Sequence, residues 1–440
     1  MIPGVSDNTA IAILFASFFI LMILRVPVAF AMILGSIITA FYINLPLMVI
    51  AQSMAKGIQS MALLTIPLFI LAGEVMGEGG ISHRMVGLAN ALIGRVRGGL
   101  AIVDVLACMF FGGVTGSCAA DVSAIGSIMI PMMKEKGYDD DYAVGITISA
   151  AVQGVMVPPS HNMILYSIAA GTIGGGASVG ALFMAGIVPG IILAVSLIIT
   201  SYIIAVHRGY PKGQKFHLLT AIKATKSAIL GLLTAFIIMG GILSGVFTAA
   251  ESSAIAVVYA CIITFGVYRE VPISRMKVML FKATKTLGMV MALIAAASAM
   301  GYLLARLQVP MKLMDIMLSI THNGVLILLL VNILLLLLGC VMDMAPLILI
   351  TTPILLPTLV QFGVSPVHFG VILMLNLGIG LLTPPVGAAL YIGCGIGNIK
   401  IDKMAAKMLP FYATMFVVLM ILTYFPQVFM FLPKYLHFVQ

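Results

Sequence analysis

Charge is what this sequence has least of. Only 8% of its 440 residues are Asp, Glu, Lys or Arg, against 62% hydrophobic residues and a mean hydropathy of +1.20. That leaves far too little polar surface to coat a soluble globule, so the chain reads as an integral membrane protein. No hydrophilic stretch is long enough for a second, soluble domain. The apolar runs lack the alternation of β-barrel strands, so the spans are expected to be helical. The first run has no basic flank before it and no clear cleavage site after it, which points to a retained span rather than a signal peptide. Cysteine is scarce too. Cys108, Cys118, Cys261, Cys340 and Cys394 all lie in apolar runs without metal-ligand spacing, so they read as small buried hydrophobes with no disulfide or zinc expected.

The few basic residues are unevenly placed. If Arg25 is cytoplasmic and residues 98–133 and 324–360 are hairpins that enter and leave on one side, most of the 23 Lys and Arg face inward. Arg84, Arg95, Arg97, Lys134, Lys136, Arg208, Lys215 and Lys407 are among them; Lys56, Arg306, Lys312 and Lys434 face outward. The positive excess is therefore an orientation signal, with no nucleic-acid partner expected. The count gives about ten full spans plus two re-entrant hairpins, both termini outside.

What the sequence does have is a repeat. Gly113 matches Gly339, Pro131 matches Pro357, Gly137 matches Gly363, and Pro158-Pro159 match Pro384-Pro385, all at an offset of 226 positions. Gly and Pro punctuate backbone rather than fill cores, so matched punctuation means two copies of one irregular backbone. Basic residues bracket the first hairpin, whereas none occurs between Leu313 and Ile399. The hairpins are thus expected to enter from opposite sides, as an inverted repeat. Residues 1–206 form the first repeat, with a broken span at 143–171. Residues 207–227 form a cytoplasmic linker, and residues 228–440 the second repeat, with a broken span at 368–397.

The chemistry is expected where these elements break. Gly112-Gly113-Val114-Thr115-Gly116-Ser117 interrupts two apolar arms of roughly 17 residues, the length of half-helices that meet inside the membrane. Irregular backbone there is tolerated only where protein or a water-filled cavity satisfies it. Carbonyls at broken helix ends, hydroxyls and a carboxylate make an oxygen cage for a small hard cation, and helix N-termini attract an anion. Consecutive prolines free upstream carbonyls; each pair alone could be a mere kink, but the match across the repeat points to a site. Ser149 precedes the first pair, and Asn376 and Thr383 precede the second.

Four acids lie in apolar sequence. Asp343 occupies the repeat position of Ser117 with no basic neighbour in sequence, so a cation is its expected partner. Asp121 lies one turn beyond Ser117 and is either a ligand or a structural acid. Glu251 follows a turn and fits a helix cap, and Asp104 is read as structural. His161 and His368 are read as hydrogen-bonded structural residues rather than proton relays.

These residues resemble a known family. Phe111-Gly112-Gly113-Val114-Thr115-Gly116-Ser117, Ala124-Ile125-Gly126-Ser127, Ile130-Pro131-Met132-Met133, Pro158-Pro159-Ser160 and Ala185-Gly186-Ile187-Val188-Pro189-Gly190 look like the large membrane subunit of TRAP transporters, the tripartite ATP-independent periplasmic systems. So do Ile66-Pro67-Leu68-Phe69, His368-Phe369-Gly370 and Thr383-Pro384-Pro385-Val386-Gly387. Ala249 departs from the pattern, since the family often has proline after the threonine. The resemblance covers nearly the whole chain. It implies an all-α, polytopic, elevator-type transporter of the bacterial inner membrane, with a transport domain at about 93–190 and 323–397 moving against the remainder as scaffold. It also implies import of an organic acid (a C4-dicarboxylate, sialic acid or another sugar acid) driven by Na+, with no organic cofactor. The expected partners are a small four-span membrane subunit, a periplasmic substrate-binding protein and membrane lipid, and the chain is expected to be the unfused large subunit.

By the same resemblance, sodium contacts through side chain or backbone fall on Gly113, Ser117, Asp121, Ser149, Pro158, Met342, Asp343, Asn376, Thr383 and Pro384. Substrate contacts fall on Pro159, Ser160, Asn162, Pro385 and Gly387. A stand-alone sodium:anion symporter remains open. So does an intramembrane hydrolase or transferase, for which Ser117 and Ser160 lack an evident base.

Overall fold

In hydrocarbon each backbone N–H and C=O must find its partner inside the protein, which drives uninterrupted apolar sequence into helix. The computed structural model describes residues 6–59, 61–93, 96–171, 176–212, 218–436 and 438. Arg95 and Lys215 lie outside the described residues. Within them the chain is helical, apart from an isolated bridge between Arg97 and Lys212. Among the described residues, five helices are long and apolar enough to cross a membrane: Val179–His207, Leu219–Leu243, Ala249–Tyr268, Ile273–Arg306 and Met344–Gln361. Up to eight do so if each of three bent pairs is one span. One of those pairs is Asp140–Met156 with His161–Gly171, bent by 46°. Shorter apolar helices include Asp7–Ile23 and Val28–Tyr42, which pack against each other.

The repeat is visible in the backbone. Gly137 and Gly363 take φ of 81° and 79° at the turn after each hairpin, a conformation that favours glycine. The bond between the paired prolines is cis in both copies. Ser117 and Asp343 stand at the N-caps of Cys118–Ala124 and Met344–Gln361. Asp139 and Ser365 stand at the N-caps of Asp140–Ala151 and Pro366–Gly380.

Helix Leu409–Tyr424 relates the two copies. Its 16 residues span about 24 Å. Near its start Phe411 packs on Tyr142, ring centroids 6.4 Å apart, and Lys407 just before it pairs with Asp141 at 3.7 Å. Near its end the Leu422 carbonyl bonds His368 Nε2 at 3.1 Å, and Tyr424 Oη donates to the Val325 carbonyl at 3.1 Å. Tyr142 and His368 are repeat equivalents, so equivalent points touch opposite ends of one helix. The arms cross between copies: Met344–Gln361 packs on His161–Gly171, and Cys118–Ala124 packs on Ala388–Gly397.

Ion pairs join residues that the sequence places on one face. Arg84 meets Glu270 at 2.5 Å, Lys282 meets Glu78 at 2.5 Å, and Lys134 meets Asp140 at 3.1 Å. On the other side Lys312 Nζ donates to Asn8 Oδ1 at 2.9 Å. Glu251 is a helix cap. Its Oε2 accepts from Thr248 N at 2.8 Å, while Glu251 N donates to Thr248 Oγ1 at 3.3 Å. Ala249 fills the first helical position, where proline is equally at home, so its departure from the family pattern leaves the cap intact. Buried Asp104 is held by Thr147 and Cys108, as a structural acid would be.

Candidate functional site

Gly116, at φ 64°, ends helix Gly99–Thr115 and lets the chain turn back. The turn sits directly on the first double proline. A Cβ on Gly116 would lie 3.0 Å from His161 N and 3.2 Å from the Pro159 carbonyl, and one on Gly113 would lie 3.3 Å from the Pro158 carbonyl. Only glycines allow this approach, which brings the carbonyl end of one half-helix to the break of another.

Asp121 is buried against this contact. Thr115 Oγ1 donates to its Oδ1 at 2.5 Å, while its Oδ2 has no protein partner. Ser117 is half-buried, and its Oγ accepts from Ala120 N at 3.4 Å. Ser160 is fully buried and its hydroxyl is likewise without a protein partner. Unbonded buried oxygens cost about 1–3 kcal/mol each, so they mark where an ion, water or ligand would bond. Asn162 is buried one residue into the helix that follows the break, beside His161.

The second copy is assembled in the same way but lies open. Val386 N donates to the Cys340 carbonyl at 3.0 Å, joining the hairpin tip to the second break. A Cβ on Gly339 would lie 3.0 Å from the Gly380 Cα, and Gly387 packs under the Thr383 carbonyl. Thr383 Oγ1 donates to the Ile379 carbonyl at 2.9 Å. Asp343 is exposed, its Oδ1 accepting from Met344 N at 2.8 Å; Pro385 is exposed, Pro384 half-buried and Met342 buried. The first tip is therefore closed over and the second is not.

The structure gathers Gly113, Ser117, Asp121 and Pro158–Ser160 at one break, and Met342, Asp343, Thr383–Pro385 and Gly387 at the other. Two predicted residues make hydrogen bonds to groups outside both tips, while Asn376 Oδ1 is buried with no partner among the described residues. Ser149 Oγ donates to the Gly145 carbonyl of its own helix at 2.8 Å. Asn376 Nδ2 donates to Asn332 Oδ1 at 2.8 Å, and Asn332 Nδ2 donates to Thr423 Oγ1 at 3.0 Å.

A family profile described as "Tripartite ATP-independent periplasmic transporter, DctM component" matches residues 15–428. The chain belongs to this family. It is 38% identical over 374 residues to the C4-dicarboxylate TRAP transporter large permease protein DctM of Pseudomonas aeruginosa, covering 85% of this chain and 86% of that protein. It is 37% identical over 384 residues to the sialic acid TRAP transporter large permease protein SiaM of Vibrio cholerae, covering 87% and 89%. Its fold is similar to the crystal structure of the Alcanivorax borkumensis YdaH transporter, with a TM-score of 0.62 at 14% identity, over 85% of this chain and 86% of that one. These TRAP relatives are permeases rather than enzymes, so Ser117 and Ser160 have no role as nucleophiles.

In this DctM-family permease the sequence reading passed over two residues that complete the polar groups. Thr115 lies inside the motif Gly112-Gly113-Val114-Thr115-Gly116-Ser117, and its role emerges only once Asp121 turns back onto it. Asn332 is the single polar residue in a leucine-rich run, a legible signal.

Proposed function

We propose that this chain is the large permease of a sodium-driven TRAP transporter that imports an organic acid of the C4-dicarboxylate or sugar-acid class across a bacterial inner membrane. A periplasmic binding protein delivers the acid and a four-span small subunit flanks the permease. The observation that carries the proposal is the placement of equivalent residues, Tyr142 and His368, at opposite ends of helix Leu409–Tyr424. An inverted repeat of this kind lets one fold take inward-open and outward-open forms of similar energy, which is the requirement of an elevator. The difference between the closed first tip and the open second tip accords with one such form. Sodium fits the free oxygens of Asp121 and Ser160 and the carbonyls at the proline breaks, all hard oxygen donors.

Reconstituted vesicles test the reading. Uptake should need the small subunit, loaded binding protein and an inward sodium gradient together. Full uptake by this chain alone would favour a stand-alone symporter, and uptake indifferent to sodium would remove the coupling ion.

A further inference from the structure

Two cavities of this molecule are repeat equivalents, and they differ in charge. The inner one, about 280 Å³, is lined by Tyr142, Ile204 and Arg208 among others. The outer one, about 340 Å³, is lined by His368, Met430 and Lys434, each at the matching position 226 residues on, together with Ser365, Gln427 and Phe431. In the inner cavity both Lys407 and Arg208 are paired with acids, Lys407 with Asp141 at 3.7 Å. Arg208 Nη1 donates to Asp139 Oδ2 and to Asp141 Oδ1, both at 2.9 Å. The repeat positions of those two acids are Ser365 and Val367. Exposed Lys434 accordingly forms no ion pair among the described residues.

The rest of the outer cavity completes a site for an anion. Ser365 Oγ accepts from His368 N at 3.1 Å, which leaves its own proton to donate. Gln427 adds an amide, and Met430 and Phe431 provide an apolar wall. His368 Nε2 is committed to the Leu422 carbonyl. An ammonium with hydroxyl and amide donors beside it is the chemistry that holds a carboxylate. The cavity lies at the end of Leu409–Tyr424 remote from the basic face, the side from which import begins.

We propose that the cavity of Ser365, Gln427 and Lys434 is a reception subsite for the carboxylate of the incoming acid, before it reaches the proline breaks. Its transport role rests on the import reading above; its affinity for a carboxylate does not. The chain has no tryptophan, so Phe431→Trp places one fluorophore in the cavity. In nanodiscs of zwitterionic lipid, succinate should protect that tryptophan from iodide quenching better than chloride does at equal ionic strength. Lys434→Gln should abolish the protection and Lys434→Arg restore it. Equal protection by chloride, or protection unaltered in Lys434→Gln, overturns the proposal. Inorganic phosphate protecting as well as succinate overturns it in favour of a phosphate site.

In the assembled transporter, Lys434→Glu should raise the acid concentration for half-maximal uptake about tenfold, the scale of one charge contact, with the sodium curve unmoved. Unchanged half-saturation overturns the reception role. A wild-type assembly that imports no organic acid would defeat the import reading, while the quenching result would still decide what the cavity binds.

Discussion

Gly112 and Gly154 meet backbone to backbone. A Cβ on Gly112 would stand 2.5 Å from the Gly154 Cα, and one on Gly154 would stand 2.3 Å from Asp121 Oδ2. The first hairpin and the first broken span can approach this closely only because both positions lack a side chain. The second copy makes a like contact one residue along, between Gly380, the equivalent of Gly154, and Gly339, the equivalent of Gly113.

Gly154→Ala should therefore destabilise the protein by about 1–3 kcal/mol, the scale of overpacking, because the new methyl would run into the buried Asp121 carboxyl, which its bond from Thr115 holds in place. Gly77→Ala, with nothing within 4 Å, should be neutral or gain up to about 1 kcal/mol through helix propensity. Thermal melting in detergent separates them. A Gly154→Ala protein that melts at the wild-type temperature would refute the close approach.

Ser117 and Asp343 cap equivalent arms, yet only one carries charge. Asparagine caps as well as aspartate, so Asp343→Asn should keep the helix and change the charge alone. The sodium concentration for half-maximal uptake should rise in Asp343→Asn and less in Ser117→Ala, which loses a cap of about 1 kcal/mol. Asp121→Asn and Thr115→Val should shift it too, since they disturb the free oxygen at the closed tip. Unaltered sodium curves in all four would make these turns purely structural.

Lys134 and Asn323 lie at ends of the two hairpins that the inverted-repeat reading places on opposite sides of the membrane. Cysteines placed at these two positions should label from opposite sides of intact cells, Lys134→Cys from within. Labelling of both from one side would end the inverted-repeat reading.

Tyr210 anchors the inner charge cluster, its hydroxyl donating to Asp139 Oδ2 at 2.7 Å. Burial, and then that bond, push the hydroxyl up to about 12. A raised value means its contribution is complete below the ordinary tyrosine value near 10 and is lost as pH climbs towards about 12. Wild-type melting temperature should fall more steeply over that window than that of Tyr210→Phe. Parallel profiles would show that the bond contributes nothing.

Much of this protein was legible in its residues because the signals are local. Composition set the solvent, and apolar runs in that solvent must be helical. Gly113, Gly137, Pro158 and Pro159 act on their own backbone, so their recurrence at Gly339, Gly363, Pro384 and Pro385 marked both breaks before any contact was known. Partnership is different. That Asp121 turns onto Thr115, that Asn376 donates to Asn332, and that Arg208 is cancelled while Lys434 has no ion pair among the described residues were decided by tertiary structure. Each depends on which side chains the folded backbone brings within about 3 Å, a distance at which hydrogen bonds and buried charges are made or left unmade.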